Sequence, residues 1–170
     1  SLTVVMFCRT FYDNTDAGRA RALQLDAADG RPYEDFYDVI VENKTYSGQE
    51  WPLRVLPIFK RAFKRFPTIA NWGGPGGGMP SASSDGNFLE ALNMSLNIFH
   101  KHHIDRDLGR TGQAVVIITA GTGVFEVNRE LSHVTKQRMH DNGVGIDLLC
   151  INEPVMHVVP LFIFKRQAPG

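Results

Sequence analysis

"QAVVIITAGTGVFEV", residues 113 to 127, is the stretch on which the fold turns. Its first seven residues, "QAVVIIT" (113 to 119), are apolar nearly throughout, the composition of a central parallel strand covered on both faces. The run stops at two glycines two residues apart, Gly121 and Gly123, and then turns charged and helical. In α/β proteins such a turn is where phosphates and metal ions bind, because backbone N–H groups point outward there. Here "GTG" is followed by Val124, Phe125 and Glu126, with neither a GK[ST] ending nor G-x-G-x-x-G spacing. A structural turn is expected, not a nucleotide loop.

Outward from this run, four more stretches read as strands, being short and rich in β-branched and aromatic residues. They are "LTVVMFC" (2 to 8), "DFYDVIVEN" (35 to 43), "GIDLLCI" (145 to 151) and "VVPLFIF" (158 to 164). Three stretches read as helices. "WPLRVLPIFKRAFKRF" sets Leu56, Phe59, Phe63 and Phe66 on one face, with Lys60, Arg61, Lys64 and Arg65 elsewhere and Pro57 opening or kinking it. "NFLEALNMSLNIFHKHH" repeats the pattern with Leu89, Leu92, Leu96 and Phe99. "EVNRELSHVTKQRMHDNG" carries Glu126 and Glu130 near its start and Asn142-Gly143 as a stop. "NWGGPGGGMPSASSDG" (71 to 86), with its glycine-rich 73 to 78 core, reads as a mobile surface loop. Strands alternating with helices predict an α/β three-layer sandwich, a mostly parallel sheet with helices on both faces, spanning 1 to 170 as a single domain.

Composition excludes several classes. Lys+Arg and Asp+Glu number 18 each in 170 residues, which argues against a nucleic-acid binder or an acidic tail. The two cysteines, Cys8 and Cys150, lie inside apolar runs and read as buried thiols of a reducing compartment. No apolar run is long enough to cross a bilayer, and no leader is visible. The start "SLTVVMF" and the linker-like end "KRQAPG" read as a domain cut from a longer protein.

The strand ends invite comparison with von Willebrand A domains, which hold a divalent cation on a D-x-S-x-S set, a helix-opening Thr and an Asp after a central strand. Such an ion needs carboxylate and hydroxyl oxygens. The first strand here runs into "FCRTFYDN", placing Arg9 where the first carboxylate belongs. "SDGNFLEAL" has Asn87 in place of the Thr, and residues 119 to 122 of "ITAGTG" lack the Asp. A guanidinium repels a cation, so no metal site is expected. In "HKHH", His100 and His103 have a spacing that lets two imidazoles share a helix face, with Asp105 nearby, yet a solvated helix end is expected. His133, His140 and His157 are single, and no nucleophile motif occurs. The cluster Lys60, Arg61, Lys64 and Arg65 reads as a solvated face, with acidic lipid or a partner as the alternative.

"FCRTFYD", "GRPYEDFYDVIVEN", "GNFLEALNMSLNIF", "DRDLGRTGQAVVIITAGTGVFEV" and "VTKQRMHDNGVGIDLLCINEPVMHVVPLF" together resemble the vacuolar membrane-associated Iml family, whose animal member is the DEP-domain-containing subunit of the GATOR complex. The resemblance covers nearly the whole chain and matches the domain called SABA in that family. It departs in the 73 to 78 loop and in the segment 14 to 30. It implies a scaffold on the cytosolic face of the vacuolar or lysosomal membrane that assembles with two nitrogen permease regulator-like subunits. The complex accelerates GTP hydrolysis by Rag GTPases and restrains TOR signalling when amino acids are scarce. The resemblance assigns the catalytic arginine to one of those subunits, so no catalytic, cofactor-binding or metal-binding residue carries over. Arg9, Phe11 and Tyr12, clustered after the first strand, are the candidate partner contacts, being types that dominate interface hot spots. Alternatively, Phe11 and Tyr12 close the core and Arg9 neutralises a carboxylate such as Asp13. The competing functional class is a metal-dependent adhesion-type or hydrolytic domain.

Overall fold

The computed structural model describes residues 1–13, 23–26, 29–101, 114–121, 124–151 and 161–165, with the backbone alone at 98–101. They fall into two compact units, Ser1–Ser81 and Ala82–Gly170.

The first unit is built on two long strands, β1 (Leu2–Phe11) and β3 (Pro32–Lys44), paired antiparallel. Their β-branched and aromatic residues meet directly across the pair, Val5 with Val39, Phe7 with Tyr37 and Cys8 with Phe36, the contact type that stabilises a pleated surface. Short strands β2 (Gln24–Leu25) and β4 (Met79–Pro80) flank them, giving the order β2-β3-β1-β4. Every pairing in this sheet is antiparallel, which differs from the mostly parallel sheet expected of the sequence. A parallel return needs a crossover, usually helical, and residues 12 to 31 carry no apolar helical period to make one.

A π-helical turn, Trp51–Val55, leads into α1 (Leu56–Ile69), which Pro57 opens as expected. The buried residues of this turn and helix are Val55, Ala62 and Phe66, not the Leu56, Phe59, Phe63 and Phe66 stripe read from the sequence. Residues 55, 59, 62 and 66 follow i, i+4, i+7 and i+11 and form a tighter stripe; Leu56 and Phe63 fall to one side of it and are exposed. Phe66 packs edge-on against Trp72, with centroids 5.9 Å apart.

The glycine-rich segment, expected as a surface loop, contains a hydrogen-bonded turn. Gly77 N–H donates to Gly74 C=O at 2.8 Å and Gly78 N–H to Asn71 C=O at 2.9 Å, and β4 then joins β1. Gly78 is required by approach: a Cβ there meets Phe11 O and Thr10 Cγ2 at 2.4 Å.

In the second unit α2 (Phe88–Lys101) buries Leu89, Leu92 and Leu96 of the stripe its sequence announces, the side chain of Phe99 lying outside the described residues. Next come β5 (Ala114–Thr119), β6 (Phe125–Val127), α3 (Arg129–Asn142), β7 (Gly145–Cys150) and β8 (Phe162–Phe164). Here the pairings are parallel, β5 with β7 and β6 with β8, but they form two separate two-stranded sheets rather than the single mostly parallel sheet expected, with α3 between β6 and β7 in the chain. Asn128 caps α3 by accepting from Leu131 N–H at 3.0 Å, and Val144 N–H closes the far end on Met139 C=O. Glu126 and Val127, read from sequence as the start of this helix, belong instead to β6, with Phe125 and Val127 turned inward and Glu126 outward. Three residues are too few for alternation to be told from a helix start. β5 also differs from its expected cover on both faces: Ile117 is buried, while Val116 and Ile118 are exposed.

Candidate functional site

The end of β1 gathers the sequence-predicted contact residues of the first unit. Arg9 is only 4% exposed, and it sits opposite Asp35 in the β1–β3 register. Its Nε donates to Asp35 Oδ1 at 2.7 Å and its terminal amine to Oδ2 at 3.0 Å, a two-pronged ion pair. The guanidinium also lies over the Tyr33 ring, 4.0 Å from the centroid. The carboxylate that Arg9 neutralises is thus Asp35, not Asp13. Phe11 packs edge-on against Tyr33 and is stacked under Arg31, and Tyr12 donates its hydroxyl to Glu34 at 3.2 Å. All three candidate contacts, Arg9, Phe11 and Tyr12, are buried in the chain, so any effect on a partner passes through the surface they support.

A polar lattice ties this strand end to α1. Thr10 Oγ1 donates to Ala70 C=O at 2.9 Å and accepts from Trp72 Nε1 at 3.0 Å; Asn71 Nδ2 donates to Tyr12 OH at 3.2 Å. Cys8 is half-buried here, and its thiol is pushed up to about 11, first by burial and then by the Asp35 charge, against a hydrogen bond with Thr10. Asp35 and Trp72 were missed in the sequence. The register that pairs Asp35 with Arg9 was the only signal, and it depended on knowing the antiparallel partner.

In the second unit the opening turn after β5 is seen through Gly121, while Thr122 and Gly123 lie outside the described residues. Gly121 N–H donates back to Thr119 Oγ1 at 3.0 Å. A Cβ at Gly121 falls 2.1 Å from Ser83 Oγ, so the turn glycine is there for close approach to the 3-10 turn Ser83–Asp85. Asp85, the carboxylate of that turn, is held by Lys165 Nζ at 2.6 Å. Asn87, which stands where the metal-binding pattern has Thr, is fully buried at the foot of α2. Phe88 stacks on Phe125 with centroids 4.3 Å apart and meets Phe162 edge-on, fixing β6 and β8 against this end of α2.

Among the described residues, the oxygens near this turn are already engaged. Thr119 Oγ1 is engaged by an N–H and the Asp85 carboxylate faces an ammonium, while Asn87 adds an amide carbonyl, an oxygen that a hard cation accepts but that does not complete a ligand set alone. Among the described residues no cluster of three His, Cys, Asp or Glu side chains forms. His133 and His140 are exposed on α3; the side chain of His100, and His103, Asp105 and His157 altogether, lie outside the described residues. A further constellation escaped sequence reading: Arg138 on α3 donates to Asn93 C=O at 3.2 Å and to the side chains of Asn93 and Asn97 on α2. Asn93 in turn donates to the buried Thr135, so "TKQRM" locks the two helices together.

The family model described as "Vacuolar membrane-associated protein Iml1, vWA-like domain" matches residues 1–164. A DEP domain-containing protein of Dictyostelium discoideum is 44% identical over 96% of this chain and 7% of its own length. The GATOR complex protein Iml1 of Drosophila melanogaster is 43% identical over 98% of this chain and 11% of its own. The vacuolar membrane-associated protein IML1 of Chaetomium globosum is 37% identical over 99% of this chain and 10% of its own. The chain thus spans about a tenth of the length of these relatives. With a match along almost its full length, the chain belongs to the vacuolar membrane-associated Iml1 family, in the part that family shares as its vWA-like domain.

Proposed function

We propose that this chain is a non-catalytic interaction domain of a GATOR-type complex. The observation that carries this reading is the 43% identity, over 98% of the chain, to a GATOR complex protein. Its docking partners in this proposal are nitrogen permease regulator-like subunits. Through them the assembly acts on Rag GTPases and restrains TOR signalling in response to amino acids. Residues 1 to 170 act as one SABA-type domain, a three-layer sandwich; apolar side chains on both faces of β5, Ile117 on one and Val116 and Ile118 on the other, support a strand meant to be covered twice.

A scaffold role is supported by the occupancy of the strand ends. The Arg9 charge is committed to Asp35 and buried, which disfavours it as an arginine finger acting in trans. Arg9, Phe11 and Tyr12 remain the proposed support of the docking surface, acting from beneath it. Attachment to the cytosolic side of the vacuolar or lysosomal membrane is peripheral in this proposal. Its support is the vacuolar name shared by fungal relatives, together with the finding that no helix among the described residues is long and apolar enough to cross a bilayer.

The test combines two measurements on the full-length chain. Co-precipitation with separately purified regulator-like subunits should succeed, and phosphate release from GTP-loaded Rag heterodimer should not rise when the chain is added alone. Hydrolysis stimulated by the chain alone overturns the scaffold reading and makes the chain a catalytic partner.

A further inference from the structure

The burial pattern of α1 leaves an outer face unlike an ordinary solvated one. Leu56 and Phe63 lie seven residues apart on one stripe and are exposed, Phe63 at 62%; Leu53 continues the apolar surface in the preceding turn. Beside that stripe lie Lys60 and Lys64, then Arg61, all exposed. α1 contains no acidic residue. The neighbouring cations Arg54 and Arg65 are paired with Glu50 and Asp38, whereas Lys60, Arg61 and Lys64 carry no ion pair among the described residues.

From this we infer that the outer face of α1 docks on an anionic lipid surface, the helix lying in the plane of the headgroups with Phe63 and Leu56 inserted and Lys60, Arg61 and Lys64 on the phosphates. Three uncompensated cations give the charge complementarity, and the exposed phenyl and leucyl groups give what a purely solvated basic face lacks. Two of the cations are lysines, strongly hydrated point charges on flexible stems that suit a fluid layer of phosphates better than a fixed set of protein carboxylates. An acidic protein surface is therefore the less favoured occupant. The inference rests on the peripheral-membrane part of the proposed function and supplies its contact.

The full-length chain is mixed with phosphatidylcholine vesicles, with and without phosphatidylserine, and its sedimentation with them is measured at low and high salt. Binding is expected only with phosphatidylserine, and it weakens at high salt as screening shortens the reach of the cations. The triple variant Lys60→Gln, Arg61→Gln, Lys64→Gln is expected to bind on the order of 100-fold more weakly, about fivefold per cation. Phe63→Ser is expected to bind roughly tenfold more weakly. Both change exposed side chains, and unchanged melting temperatures establish that the fold is intact. Wild-type affinity in both variants overturns the inference and moves the contact to another face. Absence of vesicle binding by the wild type overturns it too; if the chain then still fractionates with vacuolar membranes in cells, the peripheral reading stands and attachment belongs to a protein.

Discussion

Arg9 and Asp35 face each other directly across β1 and β3, joined by two hydrogen bonds of 2.7 and 3.0 Å, with Arg9 almost wholly buried. An ion pair in this position costs desolvation on both sides, and the two-pronged geometry with the Tyr33 ring beneath offsets it. Removing one member takes from the other its two-pronged partner. Arg9→Ala or Asp35→Ala is expected to destabilise the chain by about 3–5 kcal/mol, whereas Arg9→Met with Asp35→Leu recovers most of that loss. Urea unfolding of the two single variants and the double variant checks this. Additive losses in the double variant contradict the pairing.

Gly121 and Ser83 are the corresponding relationship in the second unit. A methyl group at Gly121 has no room beside the Ser83 hydroxyl, so Gly121→Ala is expected to cost about 1–3 kcal/mol by overpacking. Ser83→Gly in the same chain opens the space and should recover at least half of the lost stability. Equal melting temperatures for Gly121→Ala with and without the Ser83 change contradict this close approach.

How much of this was legible in the sequence depends on how local each signal is. The α2 stripe of Leu89, Leu92 and Leu96, the Asn142-Gly143 stop and the parallel β5–β7 pair follow from periodicity, a turn residue and a crossover helix, all readable within a short window. The face of α1 was misassigned because its aromatic residues are spread around the helix; Phe66 turns inward and Phe63 outward, and only packing against β3 separates them. The direction of β3 relative to β1 was not legible either. Its sequence fits a strand in both orientations, and the Arg9–Asp35 pair that rewards the antiparallel one joins residues 26 apart. At the strand ends the sequence identified the altered positions, Arg9, Asn87 and the turn at 121, but not what engages their neighbours: Lys165 reaches Asp85 from 80 residues away.

The thiol of Cys8 provides a pH test. Burial favours its neutral form, raising it from its ordinary 9.0 to about 11. A folded-state value above the unfolded one means that the contribution to stability is fully present below pH 9.0 and is lost as pH rises through about 11. The thiolate is the nucleophile, so alkylation of Cys8 in the folded chain is expected to be slow at neutral pH and to accelerate only as pH approaches 11, well above an ordinary cysteine. Mass-spectrometric rates across that range, compared with the urea-unfolded chain, read this directly. Equal profiles in the folded and unfolded chain rule out the burial effect.

The metal expectation follows from the Lys165–Asp85 pair. A hard divalent cation needs several oxygen ligands at once, and at this turn Asp85, its one carboxylate among the described residues, faces an ammonium at 2.6 Å while Thr119 Oγ1 already accepts an N–H. Any ion bound to the native state alone must raise the melting temperature. Titration with Mg²⁺, Mn²⁺ or Ca²⁺ is therefore expected to leave the melting temperature of the wild type unchanged. Lys165→Ala removes the ammonium and bares Asp85; the variant is expected to lose stability and still show no response to metal, since a single carboxylate does not complete a ligand set. A saturable rise in the wild type, erased by a chelator, overturns the reading of these strand ends. A rise confined to Lys165→Ala shows instead that the lysine alone keeps the ion out, and that the remaining oxygens suffice to hold it.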